Sequence, residues 1–323
     1  MSKKSIHLKA LVAVGSNYYL ESKTHFAFQK AIRKKMSKAG DATYTLPKVS
    51  QGNPPVILLG MHRSGTTLTS KLLQSSGLFM GSLRGEDTNE SLFFQNVNKA
   101  IFTIAHSDWD VPESLKEALE NETFFKLIRE ILGEYCDTPK KIRSFTGLKA
   151  KRSGSLFSLN EPWGWKDPRT CFTLPLWLAL FPDAKVLFIY RNAVDVAESL
   201  VKRNKNLMGK KPGSVRCLTL EGAYGIWEKY NEQCLKHIST LNPDQYYSLR
   251  YEDLLEDPET NLKALHEFSG LKPKDNEWQA LINNMEKSRA YAFTQKTHLC
   301  DFYKEIKDSS LMTQFGYSNI HAD

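Results

Sequence analysis

Gly60 and Gly65 stand at the spacing of a GxxxxG loop, and the residues between them, Met61-His62-Arg63-Ser64, lead directly into Thr66-Thr67. Glycines at that interval let backbone N–H groups converge, so a loop of this kind at the start of a helix can cradle an anion. A nucleotide triphosphatase would continue with Lys-Ser/Thr, the lysine reaching the terminal phosphates and the hydroxyl holding magnesium. Here the lysine is absent, and Arg63 inside the loop supplies a different cation. Without the lysine, triphosphate cleavage loses its main charge clamp, and no Asp-bearing strand offers to hold magnesium. A glycine-bounded turn with no ligand is the plain alternative, but Arg-Ser-Gly-Thr-Thr directly after an apolar run argues against it.

A second group of this kind lies in KVLFIYRNAVDVAESLVKR. Arg191 follows an apolar run, Asn192 can cap a helix with Asp195 three residues later, and Ser199 and Arg203 continue at steps of four. On a helix Asp195, Ser199 and Arg203 share a stripe opposite Val194, Ala197 and Val201. A hydroxyl bracketed by two guanidiniums at the C-terminal end of a strand makes a phosphate site. Taken alone, the same pattern is equally that of an amphipathic helix with a solvated face.

These groups need strands to present them. Val56–Leu59 and Val186–Tyr190 are short runs without charge, as in strands buried on both faces of a parallel sheet; Trp163–Lys166 and Tyr246–Leu249 are weaker candidates. Helical patterns follow over Thr66–Ser76, closed by Gly77, and over Ala193–Arg203. Asp257-Pro258 supplies an N-cap and a first helical proline, with Gly270 at the far end. The alternation predicts an α/β fold, a P-loop-like parallel sheet flanked by helices on both faces.

Composition narrows the partners. The chain has 323 residues, 44 Lys+Arg against 36 Asp+Glu, and a net charge of +8. The surplus favours an anionic partner. No zinc-finger spacing, RNP-type aromatic motif or basic-zipper heptad points to nucleic acid. Five scattered cysteines without a CxxC pair suggest neither a zinc site nor a redox dithiol, and a reducing compartment fits best. The apolar run Ala10–Gly15 is too short for a signal peptide, and no segment approaches the ~20 apolar residues of a spanning helix, so a cytoplasmic protein is expected.

The segment GMHRSGTT resembles the 5′-phosphosulfate loop of sulfotransferases that use 3′-phosphoadenosine 5′-phosphosulfate (PAPS) and release 3′-phosphoadenosine 5′-phosphate (PAP). The resemblance implies that Arg63, Ser64, Gly65, Thr66 and Thr67 bind the 5′-phosphosulfate, with no metal. Arg191 with Ser199 eight residues later is similar to the 3′-phosphate motif of that family, and Arg203 matches an arginine found in tyrosylprotein sulfotransferases. Lys166, in WGWKDPR, then corresponds to a lysine that stabilises the transferring sulfuryl group, and Tyr251, in SLRYEDLLEDP, lies near the adenosine. His62-Arg63-Ser64-Gly65 and Asp108–Pro112 resemble a mainly bacterial subgroup.

Gly85-Glu86-Asp87-Thr88 is similar to Gly-Glu-Glu-Thr of the tyrosylprotein enzymes, which makes Asp87 the candidate base and His62 its rival; Glu86, Glu90 and His106 are also conceivable. Where the bacterial subgroup often has a glutamate, this chain has Gln95, and an amide cannot act as a base. The implied organisation is a basic N-terminal helical extension over 1–50 and a single sulfotransferase domain over 51–323. The implied acceptor is a small molecule or glycoconjugate bearing a hydroxyl. A P-loop kinase using ATP and a non-catalytic PAP-sensing module are the competing readings. The segment Asn204–Arg216 is expected to act as a lid over the donor.

Overall fold

The computed structural model describes residues 23–37, 51–147, 154–207, 213–273 and 277–321. They divide into two compact units, Met1–Pro55 with Phe79–Asp183, and Val56–Leu78 with Ala184–Asp323.

The second unit contains strands β1 (Val56–Leu59), β3 (Lys185–Tyr190) and β4 (Tyr246–Arg250); β2 (Gly164–Lys166) belongs to the first unit. β3 pairs in parallel with β1 on one side and β4 on the other, with Ile57 opposite Val186 and Ile189 opposite Leu249. Parallel neighbours need a crossover, and each is helical: Thr66–Ser75 follows β1, while Ala193–Leu207 and Leu220–Ile238 lie between β3 and β4. The helices Pro258–Ser269 and Glu277–Asn283 pack on Thr66–Ser75, whereas Ala193–Leu207 packs on Leu220–Ile238. The result is α/β, a parallel sheet with helices on both faces, as the alternating pattern predicts. All four residues of β1 are buried, which is why it carries no polar side chain.

The helix boundaries follow local chemistry. Asp257 accepts a hydrogen bond from the Thr260 amide and Pro258 occupies the first helical position. Gly270 ends that helix at φ 68°, a left-handed conformation that favours glycine.

The first unit is mostly helical. Its core is aromatic: Phe94 stacks on Trp165 at 4.0 Å and meets Trp177 and Phe145 edge-on. Asn98, fully buried, donates to Asp167 and Thr170 and accepts from Thr173 and the Trp177 indole. A buried amide with every group paired fixes the helix Leu92–Ile104 against Thr170–Leu178. The N-terminal helix predicted over Leu20–Lys38 is seen over 23–36.

In the second unit Glu252 plays the corresponding part. Fully buried at the start of the helix Tyr251–Glu256, it accepts from the Asn192 backbone and side-chain amides and from the Tyr317 hydroxyl. It thereby fastens the end of β3 to the chain's C-terminal segment. Glu252→Ala leaves three donors without their acceptor and is expected to cost about 3 kcal/mol or more, read as a lowered urea midpoint. Glu252→Gln keeps an acceptor oxygen and is expected to lose less. Equal midpoints for all three proteins would show that Glu252 does not hold these elements together.

Candidate functional site

The glycine-bounded loop leaves β1 and enters the helix Thr66–Ser75 with backbone geometry that needs its glycines. Gly60 has φ 146°, and a side chain there would run into the Ile189 carbonyl. Gly65 has φ 90°, and a Cβ would lie 2.1 Å from the Tyr251 ring. Tyr251 therefore packs directly on the loop. Gly65 offers no capping side chain, and no acidic residue lies in the first turn of the helix, so the helix itself supplies no charge against its N-terminal dipole. The Ser64 hydroxyl is buried without a hydrogen-bond partner among the described residues. Arg63 adopts φ 72°, unusual for a residue with a side chain.

That conformation turns Arg63 toward the second group: its Nε donates to the Ser199 hydroxyl at 2.8 Å. Arg191 Nη1 reaches back to the Arg63 carbonyl, Nη2 is held by Asp195 and the Arg289 carbonyl, and Nε is buried without a partner among the described residues. The Arg191 guanidinium also lies over the Tyr251 ring, 4.8 Å from its centre. The two motifs, 128 residues apart between Arg63 and Arg191, thus form one continuous cluster. Arg289, held by Glu286 at 2.7 Å, joins it from the short turn Lys287–Arg289.

Charge is concentrated here. Burial first, then Arg203, Arg191 and Arg289, push the Arg63 guanidinium below its ordinary range. Burial raises the Tyr251 phenol, while Arg191 and Arg289 oppose that rise. Cations crowded in this way are relieved by a bound polyanion, and the orphaned Ser64 hydroxyl and Arg191 Nε are hydrogen-bonding groups to offer one. These residues fit a donor with phosphates at two points, such as PAPS. Asp195 is not on a solvated stripe. It is buried, accepting from Arg191, from Asn192 and from the Phe293 amide. Asn192 caps the helix through the Asp195 amide, as its spacing predicts. His62 is buried in the loop, its ring edge-on to Tyr230.

The other candidates lie in the first unit. Lys166, at the end of β2, is buried and donates to the Thr88 carbonyl at 2.5 Å and to Glu90 at 3.3 Å. Gln95 secures the second Glu90 oxygen. Residues 85–90 close into a tight turn, the Gly85 amide donating to Glu90 and the Asn89 amide to Gly85. Asp87 is exposed in this turn, one residue before the carbonyl that Lys166 holds. Burial pushes the Lys166 ammonium below the usual lysine range, and Glu90 opposes the shift.

Two participants escaped the sequence reading. Glu90 stood only among several conceivable bases, because nothing in spacing shows a contact with a lysine 76 residues away. Arg289 lies in a stretch with no motif, and only folding brings it to Tyr251. Of the predicted lid, the helix Ala193–Leu207 takes in its first residues and Arg216 begins a short 3₁₀ turn, while 208–212 lie outside the described residues. The Asn204 side chain closes the base of this loop through two bonds of 2.9 Å to the Ser214 backbone.

Comparison with known proteins adds to this geometry. A protein of Aquifex aeolicus is 28% identical over 235 residues, covering 70% of this chain and 27% of that protein. The omega-hydroxy-beta-dihydromenaquinone-9 sulfotransferase of Mycobacterium bovis is 29% identical over 114 residues, covering 33% of this chain and 28% of the enzyme. The chain thus spans little more than a quarter of the length of these curated relatives. Among solved structures, the sulfotransferase domain of the Synechococcus PCC 7002 olefin synthase aligns with a TM-score of 0.48 at 20% identity, covering 86% of this chain and all of that domain. A family model described as the sulfotransferase family matches residues 54–275, well over half of the chain and both arginine motifs, and the chain belongs to that family.

Proposed function

We propose that the protein transfers a sulfuryl group from PAPS to the hydroxyl of a small metabolite, a sugar or a tyrosine. The observation that carries this reading is the Arg63–Ser199 bond, which joins the phosphosulfate-type loop to the 3′-phosphate-type motif in one basic cluster. PAPS supplies the sulfuryl group, and PAP is the product.

In this reading Arg63 and the loop residues Ser64, Gly65, Thr66 and Thr67 hold the 5′ end, and the helix N-terminus contributes its dipole. Arg191, Ser199, Arg203 and, in addition, Arg289 hold the 3′-phosphate, with Tyr251 beside the adenosine. Sulfuryl transfer passes through a loose transition state whose negative charge must be met by fixed cations, an oriented acceptor and a base. Lys166 is the proposed stabiliser. Glu90, with both its oxygens engaged by Lys166 and Gln95, holds that lysine in place, and exposed Asp87 is the proposed base.

A cytoplasmic setting suits five buried cysteines, none of them in a disulfide. No helix among the described residues is long and apolar enough to cross a membrane. The function is tested by incubating the protein with labelled PAPS and a panel of hydroxylated acceptors, reading a gain of sulfate by mass spectrometry. Hydrolysis of ATP instead would favour a P-loop kinase. PAP binding with no transfer to any acceptor would favour a sensor.

Arg191→Ala is expected to weaken PAPS roughly ten- to a hundred-fold, from the loss of a charge-assisted contact. Affinity for adenosine 5′-phosphosulfate, which lacks the 3′-phosphate, is expected to stay near wild type. Equal losses for the two ligands would remove Arg191 from the 3′-site.

The pH profile reports on Lys166. Its lowered pKa means that the charged form is lost at lower pH than for an exposed lysine, so kcat is expected to fall on the alkaline side as pH rises. Glu90→Gln deletes the charge that favours the ammonium, and the fall is expected to move to still lower pH. An alkaline limb left in place by Glu90→Gln would detach Lys166 from the rate.

Asp87→Asn is expected to reduce kcat by about 10²–10⁴ with PAPS affinity intact, as for loss of a general base. Near-full turnover of Asp87→Asn, with His62→Ala inactive yet still binding PAP, would make His62 the base.

A further inference from the structure

The first unit contains a cavity of about 540 Å³ that includes none of the residues assigned above. Ligand sites commonly fall between about 300 and 1,000 Å³, so the volume suits a small polar molecule or headgroup. One wall is a face of the helix Pro139–Thr146, where Lys140, Arg143 and Ser144 follow at steps of three and one and Lys141 joins from the side. Ser82, Leu83 and Thr24 of the N-terminal helix complete the lining, and no acidic residue among the described residues lines the cavity.

Three cations line one concavity, and a cleft concentrates their field on an anion more than a convex surface does. Lys141 is steadied by the Tyr135 ring, 4.1 Å from its ammonium. Neither Lys140 nor Arg143 is paired with a carboxylate among the described residues. The end of this helix would ordinarily oppose an anion, because its last carbonyls carry negative partial charge. Here the Ser82 amide takes the Phe145 carbonyl at 2.7 Å, the Leu83 amide takes that of Ser144, and the Gly147 amide takes that of Arg143. Three of the last four carbonyls are thus engaged by amides. The Ser144 hydroxyl adds a buried group with no hydrogen-bond partner among the described residues. A buried hydroxyl left unbonded costs free energy that a ligand oxygen would recover.

We propose that this cavity binds a phosphate or sulfate ester through Lys140, Lys141, Arg143 and the Ser144 hydroxyl. The ester is either a soluble compound or the headgroup of an anionic lipid, and the site does not depend on the assignment of the donor residues.

The test uses the full chain saturated with PAP, so that the arginine cluster is filled, and titrates inorganic pyrophosphate by calorimetry. Pyrophosphate is expected to bind, and Lys140→Ala/Arg143→Ala to weaken it by about ten-fold or more, as for loss of two charge-assisted contacts. Ser144→Ala is expected to lose a few-fold. PAP affinity, measured separately, is expected to be the same in all variants. Co-sedimentation with vesicles of phosphatidylglycerol in phosphatidylcholine separates the two sources. Vesicle binding that the double variant loses assigns a lipid headgroup, and pyrophosphate binding without vesicle binding assigns a soluble ester. Absence of both, or wild-type affinity in the double variant with its melting temperature unchanged, overturns the proposal. Failure of PAP itself to bind would count against the donor reading, and the comparison of wild type with the double variant would still report on the cavity.

Discussion

Guanidiniums do not gather on their own, and in the sheet-bearing unit the buried carboxylate of Asp195 makes the gathering possible. It accepts from Arg191, from the Asn192 side chain and from the Phe293 amide, so one side chain neutralises an arginine, closes a helix start and anchors the C-terminal segment. Arg191 in turn bonds the Arg63 and Arg289 carbonyls, which sets three arginines around Tyr251. A buried ion pair repays its desolvation only when its remaining groups are bonded as well. Asp195, paired with Arg191, meets that condition, and Asn192, bonded to Asp195 and to the buried Glu252, links the two carboxylates.

The cluster combines rigid and unsatisfied parts. The loop backbone is confined by the Ile189 carbonyl and the Tyr251 ring, while the Ser64 hydroxyl and Arg191 Nε are buried and have no hydrogen-bond partner among the described residues. Most proteins bond such groups internally. Groups held in place in this way would need little reorganisation to receive the proposed polyanion. The first unit follows the same logic around Lys166. A buried ammonium survives there because a carbonyl and a carboxylate meet it, and Gln95 completes the carboxylate. The residue that differs from the bacterial pattern therefore serves as a donor to Glu90, a task an amide performs and a second carboxylate would not.

Much of this was legible before folding. β1 and the Val186–Tyr190 part of β3 announced themselves as uncharged runs, because a strand covered on both faces rarely has a place for a charge; β2, which ends on buried Lys166, gave a weaker signal. The loop glycines, the caps at Asn192 and Asp257 and the stop at Gly270 are local chemistry, decided within a few residues. Both arginine motifs were visible for the same reason, since each sits at a strand-to-helix turn whose spacing has a chemical meaning.

What pairs with what was decided by tertiary structure. The bond from Arg63 to Ser199, the approach of Arg289 to Tyr251 and the grip of Glu90 on Lys166 join residues far apart in the chain, and no periodicity encodes them. The sequence determined the types of group available, their local geometry and the family to which they point. Folding determined which cations share a field and which carboxylates are buried beside them, because electrostatic coupling depends on distance and desolvation, and both exist only once the chain is packed.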